Sequence, residues 1–285
     1  MATIREIRRR IKSVQNTAKV TKAMEMVAAS KMRRAQERTM AARPYAEKMQ
    51  QVLADLAAQY RFGEEVHPLL QKREVNRIAL IHITPDRGLC GGLVANINRS
   101  VASFILEQNV LITTVVVGRK GRDFMIRSGQ EVRAEFTQLG DRPSIVDIQP
   151  ITHIVIDDYT NGLIDEVYVS YTRFVNTMNQ RPVLWRLLPV EPAAIEPGQN
   201  VEYIYEPSPS EVLAELLPRF VEKELYHAIL EAIASEQSAR MVAMRSATDN
   251  AKEIVEELTL TYNKVRQEMI TKELLDMVGG VAALG

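Results

Sequence analysis

Arg219-Phe-Val-Glu-Lys-Glu-Leu-Tyr-His-Ala-Ile-Leu-Glu-Ala-Ile-Ala-Ser-Glu-Gln-Ser-Ala-Arg-Met241 opens a run of sixty residues, ending at Val278, that contains neither glycine nor proline. Glu, Ala, Leu, Met, Lys and Arg dominate it, which is the composition of one continuous helix. At about 1.5 Å of rise per residue, a helix from Ser210 to Leu284 would be on the order of 110 Å long. A helix of that length needs a partner along its side.

The partner is legible at the other end of the chain. Leu230, Ile233, Gln237, Arg240, Met244, Ala247, Ala251, Ile254, Leu258, Thr261 and Val265 follow at alternating spacings of three and four, a coiled-coil seam with polar members. Ile4, Ile7, Ile11, Val14, Ala18, Thr21, Glu25, Ala28, Met32 and Ala35 keep the same rhythm, and no glycine occurs before Gly63. Residues 1–48 carry 13 Lys/Arg against 4 Asp/Glu, while residues 208–285 carry 8 against 13. Opposite charge favours pairing of the two ends. The overall charge of zero therefore says nothing about nucleic acid.

Between Gly63 and Pro209 the composition changes, with 10 of the 13 glycines and 10 of the 12 prolines. Arg77–Thr84 reads as a buried strand, Asn96–Gln108 as a helix, Thr113–Val117 as a strand and Arg119–Arg127 as a short helix. Glu131–Phe136 reads as a strand and Ile145–Tyr159 as a helix. That alternation predicts a parallel α/β sheet covered by helices. Glu166–Phe174 and Pro182–Pro189 read as an antiparallel pair, and the proline-rich stretch to Pro209 as the link back into the long helix. The expected fold is α+β or α/β: a long antiparallel coiled coil of the N- and C-terminal helices (1–60 and 210–285) with an inserted Rossmann-like α/β domain (61–209). Pro44 is expected to kink the first helix near Arg43, because proline lacks the amide proton and clashes with the preceding turn. The C-terminal helix should outrun its partner by about 18 residues, roughly 27 Å, from near Gln267 onward. It ends in Met277-Val-Gly-Gly-Val-Ala-Ala-Leu-Gly285, which carries no charge.

An apolar content of 46% is enough for a real core, and no run approaches 18 apolar residues, so no membrane span is expected. The basic N-terminus keeps the phase of the seam and contains Glu6, so it is expected to be structure rather than a leader. The single Cys90 excludes an internal disulfide and suits a reducing compartment.

Candidate chemistry is sparse. Arg87-Gly-Leu-Cys-Gly-Gly92 sits between a predicted strand and helix, where glycines cradle phosphate in nucleotide-binding folds, but it fits neither phosphate-loop pattern. A tight strand-to-helix turn is the favoured reading. Cys90 has no base beside it, and His67, His82, His153 and His227 lack ligand spacing, so no catalytic, cofactor or metal site is expected. A nucleotide-dependent enzyme built on the middle domain, or a basic adaptor for nucleic acid or membrane through Arg8-Arg9-Arg10, are the alternatives. Val20, Met24, Met26 and Val27 form a second apolar stripe outside the seam, suited to contacting several neighbours.

Ile11-Lys-Ser-Val-Gln-Asn-Thr-Ala-Lys-Val-Thr-Lys-Ala-Met-Glu-Met-Val-Ala-Ala-Ser-Lys-Met-Arg-Arg-Ala35 resembles the N-terminal signature of the gamma subunits of rotary, F-type ATP synthases. Asp86-Arg-Gly-Leu-Cys-Gly-Gly92, Gly118-Arg-Lys-Gly-Arg-Asp-Phe124, Ser235-Glu-Gln-Ser-Ala-Arg-Met241, Leu258-Thr-Leu-Thr-Tyr-Asn263 and Val278-Gly-Gly280 resemble the same family in order. The resemblance implies a non-catalytic rotor shaft, one copy per complex, inside a ring of three alpha and three beta subunits. Its α/β portion would stand with the epsilon subunit on the membrane ring of c subunits, at the cytoplasmic face of a bacterial cell membrane, with no nucleic-acid partner and no span of its own. By the same resemblance Lys22, Met24, Arg33, Arg34, Arg87, Arg266, Gln267, Thr271 and Glu273 are expected to contact partner subunits.

Overall fold

The computed structural model describes residues 3–59, 67–191 and 205–282. Five strands and five α-helices occur among them. Helix α1 spans Ile4–Gln59, and a single 3-10 turn, Pro68–Leu70, leads into strand β1, Arg77–Ile83. Helix α2 (Leu93–Glu107), β2 (Leu111–Val117), α3 (Arg119–Arg127), β3 (Glu131–Phe136) and α4 (Ile145–Thr160) follow. Strands β4 (Glu166–Asn176) and β5 (Asn179–Leu188) precede α5, Pro209–Ala282. The link between β5 and α5 falls largely on 192–204, outside the described residues.

The sheet runs β3-β2-β1-β4-β5, with the first four strands parallel and β5 antiparallel to β4. Alternation along each strand decides which layer a side chain joins. Leu80 and Val116 pack with Val101 of α2 and Met125 of α3 on one face. Ala79, Ile81, Ile83, Val115 and Val117 belong to the larger cluster on the other, with Ile148, Ile151 and Val155 of α4 and Leu213, Leu217, Val221 and Leu225 of α5. The β-branched run after Ser144 is nevertheless helical. The Asp147 carboxylate accepts the Ser144 backbone N–H at 2.7 Å, and apolar positions 148, 151, 155 and 159 recur at helical spacing and are buried.

Helix α2 begins three residues before the expected Asn96, because Gly92, the last residue of the preceding turn, takes the cap position itself. Helix α1 is continuous through Pro44.

The chain divides into two compact units, one of residues 1–28 with 241–285 and one of residues 29–240. In the first unit the two helices lie antiparallel, with Arg8 against Tyr262, Thr21 against Thr248 and Glu25 against Arg245. All the α1 seam positions are buried or half-buried. On α5 the seam departs from expectation. Ile254 and Thr261 are exposed, and Val255 and Tyr262 take their places. The steps 251, 255, 258, 262, 265 keep the three-four rhythm equally well, and the partner's position decides between the two phases.

Candidate functional site

In α/β sheets, ligands bind in the crevice beyond the carboxyl ends of the parallel strands. Here that crevice is occupied by the protein's own helix. Thr84, Pro85, Asp86, Val117, Gly118 and Phe136 line it from the strand ends, and Ile229, Ala232, Ile233 and Glu236 of α5 close it, leaving about 60 Å³. Small-molecule sites measure roughly 300–1,000 Å³. A nucleotide does not fit there.

The loops around the crevice are tied together. Asp86 accepts the backbone N–H of Arg119 at 3.0 Å and that of Gln138 at 2.9 Å, linking the turns that follow β1, β2 and β3. Thr84 Oγ1 accepts the Gly121 N–H at 2.7 Å. A Cβ at Gly121 would lie 2.8 Å from that oxygen and from the His82 ring, so only glycine permits this approach. His82 is fully buried; its Nε2–H donates to Asn98 Oδ1 at 3.0 Å and its Nδ1 accepts from the Ser170 hydroxyl at 3.3 Å. Burial lowers its pKa to about 4, so the ring is neutral.

Arg87–Gly92 is a tight turn, as expected. Leu89 and Gly91 both adopt positive φ (63° and 59°), and Arg240 Nη2 of α5 grips the Gly88 carbonyl at 3.2 Å while pairing with Glu236 at 2.7 Å. Cys90 is buried, which pushes its thiol pKa up and away from the reactive thiolate. Arg87 itself is exposed.

In the helical unit the seam carries polar pins. Thr21 and Thr248 meet hydroxyl to hydroxyl at 2.7 Å, both buried. One turn on, buried Glu25 accepts from Lys22 at 3.0 Å and from Arg245 at 3.1 Å. These hydrogen bonds, Lys22 first, hold its carboxyl below the usual range. Arg8 Nη2 donates to the Tyr262 hydroxyl at 2.7 Å and its guanidinium lies 5.5 Å from the ring centroid. Thr21 and Glu25 were visible as polar seam members, whereas Tyr262 was missed because its burial depends on a partner some 250 positions away.

Of the nine residues singled out by resemblance, Lys22 and Met24 lie beside the Glu25 pin, Lys22 exposed and Met24 half-buried. The rest of the outer stripe, Val20, Met26 and Val27, is more than half exposed. Arg33 and Arg34 are exposed on α1. Arg266, Gln267, Thr271 and Glu273 are exposed on α5. By the register of the three pins, Ile4 lies level with about residue 266, so those four begin where α1 gives out.

The seam of α5 continues past the level at which α1 begins. The family model described as ATP synthase matches residues 3–284. The ATP synthase gamma chain of Dehalococcoides mccartyi (strain 195) is 63% identical over 284 residues, covering all of both chains. The chain belongs to the ATP synthase gamma-chain family. The gamma chain of Roseiflexus sp. (strain RS-1) is 54% identical over 288 residues, covering all of this chain and 99% of that one. Among solved structures, a chain of the Euglena gracilis mitochondrial ATP synthase (OSCP/F1/c-ring, rotational state 3) superposes with a TM-score of 0.68 at 19% identity, covering 99% of this chain and 94% of that one. A chain of the Tetrahymena thermophila mitochondrial ATP synthase central stalk gives 0.62 at 23% identity, covering 80% and 99%. These two share the fold. As a gamma chain, the protein is a non-catalytic subunit, the central-stalk rotor of an F-type ATP synthase. None of its helices, among the described residues, is long and apolar enough to cross a membrane.

Proposed function

We propose that this gamma chain is the single shaft within an alternating ring of three alpha and three beta subunits, coupling ion flow through a membrane c-ring to the conformational cycle of the beta subunits. Residues 61–209 form the globular part that stands with epsilon on the c-ring, and residues 1–60 and 210–285 form the shaft, at the cytoplasmic face of a bacterial cell membrane. The observation that carries the reading is the stretch of α5 beyond the level of Ile4. Met269, Ile270, Leu274, Leu275, Met277 and Val278 are each 46–66% exposed there. A lone helix with that apolar load is marginal in water, and an enclosing collar of other subunits supplies the missing burial.

A shaft works by touching identical neighbours unequally. Only a difference in binding free energy between two conformations of a beta subunit can shift its equilibrium, so directed contacts that change with rotor angle carry the coupling. Arg266, Gln267, Thr271 and Glu273 supply such contacts near the end of α1, and Lys22, Met24, Arg33, Arg34 and Arg87 supply others. The uncharged tip acts as a bearing. Purification of the native complex with a subunit count tests this: one copy per three alpha and three beta subunits is expected, and recovery of the chain without them overturns it.

A further inference from the structure

Residues of α1 and of the loop after β3 line a second, larger depression of about 450 Å³, which shares Leu139 and Gly140 with the sheet crevice. Lys31, Arg34, Arg38 and Arg142 line it, with Asp141 as the single acid. Asp141 is already committed: it pairs with Lys31 at 2.6 Å and accepts from Gln237 Nε2 at 3.2 Å. Arg34, Arg38 and Arg142 have no carboxylate partner among the described residues, so three cations of the lining are uncompensated. Gly140, also in the lining, has φ +76° and nothing within 4 Å of where a Cβ would stand, which leaves its backbone open to a ligand.

We propose that this cavity binds a phosphate oligo-anion of the di- or triphosphate class, free or as part of a nucleotide. Guanidinium forks match phosphate oxygens two by two, and the volume falls in the range of small-molecule sites. An acidic protein segment would satisfy the same charge, but it needs an extended groove, whereas this depression of about 450 Å³ is of small-molecule size. Arg34 is shared with the proposed shaft contacts, whereas Arg38 and Arg142 are not, so a variant at those two tests this site by itself.

The probe is inorganic tripolyphosphate, titrated calorimetrically into the full chain at constant ionic strength. One saturable site is expected, weakened about tenfold or more in Arg38→Gln/Arg142→Gln and unchanged in the control Arg99→Gln/Arg127→Gln, which removes equal charge from exposed positions elsewhere. Circular dichroism melts confirm that both variants fold. ATP binding tighter than tripolyphosphate through the same arginines assigns the site to nucleotides, and equal binding assigns it to the phosphate chain alone; both support the proposal. Absence of saturation, equal weakening in the control pair, or a glutamate octapeptide that outcompetes tripolyphosphate about tenfold overturns it.

Discussion

Thr21 of α1 and Thr248 of α5 place their hydroxyl oxygens 2.7 Å apart in the closed seam between the two chain ends. One hydroxyl donates to the other, which in turn donates to a carbonyl of its own helix, Ala18 at 3.1 Å or Met244 at 2.8 Å. The pair therefore fixes one axial register without leaving a polar atom unsatisfied.

Replacing one member leaves the other only the carbonyl of its own helix. Thr21→Val or Thr248→Val alone is expected to cost about 1 kcal/mol, while the double valine costs less than the two together, since the shared hydrogen bond is lost only once. Chemical denaturation of the four proteins of the cycle measures this, and strict additivity would mean that the hydroxyls do not interact.

The Glu25 pin makes the helical unit sensitive to acid. Its folded pKa lies below the unfolded value, so its stabilisation is present above about pH 4.5 and is lost as pH falls through the folded value. Glu25→Gln is expected to lower stability at pH 7 and to flatten this acid limb.

His82 acts in a higher window. Its ring stays neutral in the folded state down to about pH 4, whereas the unfolded ring takes up a proton below about 6.5. Stability is thus intact above pH 6.5 and declines as pH falls from 6.5 toward 4, by up to about 1.4 kcal/mol per pH unit. His82→Gln is expected to remove this slope while keeping a polar group between Asn98 and Ser170; a slope that persists in the variant would locate it elsewhere.

The close approach of α3 to β1 leaves no room for a side chain. Gly121→Ala sets a methyl 2.8–2.9 Å from the His82 and Thr84 side chains and is expected to cost about 1–3 kcal/mol. Gly118→Ala is expected to be worse, because it combines φ +94° with a Cβ 1.9 Å from the Thr84 carbonyl oxygen. Thermal melts of both variants check the order.

The alternating strands and helices, and the segregation of glycine and proline to the middle of the chain, make the α/β sheet legible in the sequence. The antiparallel pairing of the ends was legible too, from their matching three-four rhythm and opposite charge. Phase was harder to read. Ile254 and Val255 are adjacent and equally apolar, so only the facing helix chooses between them. The closure of the sheet crevice by Ile229, Ala232 and Ile233 was not legible either, because nothing local marks a helix residue as the lid of a distant pocket. The contact positions from Lys22 to Glu273 came from resemblance; eight of the nine are exposed here and Met24 is half-buried.

The central claim is that α5 beyond α1 carries both an angle-dependent catch and an indifferent bearing. Deleting residues 277–285, and separately replacing Arg266 and Gln267 with alanine, followed by reconstitution with the alpha and beta subunits, separates the two. The measurement is ATP hydrolysis per assembled complex beside assembly yield. The expected result is reduced yield with near-normal turnover for the tip deletion, and normal yield with reduced turnover for the double alanine variant. A tip deletion that assembles normally but abolishes turnover, with a silent double alanine variant, would contradict the account.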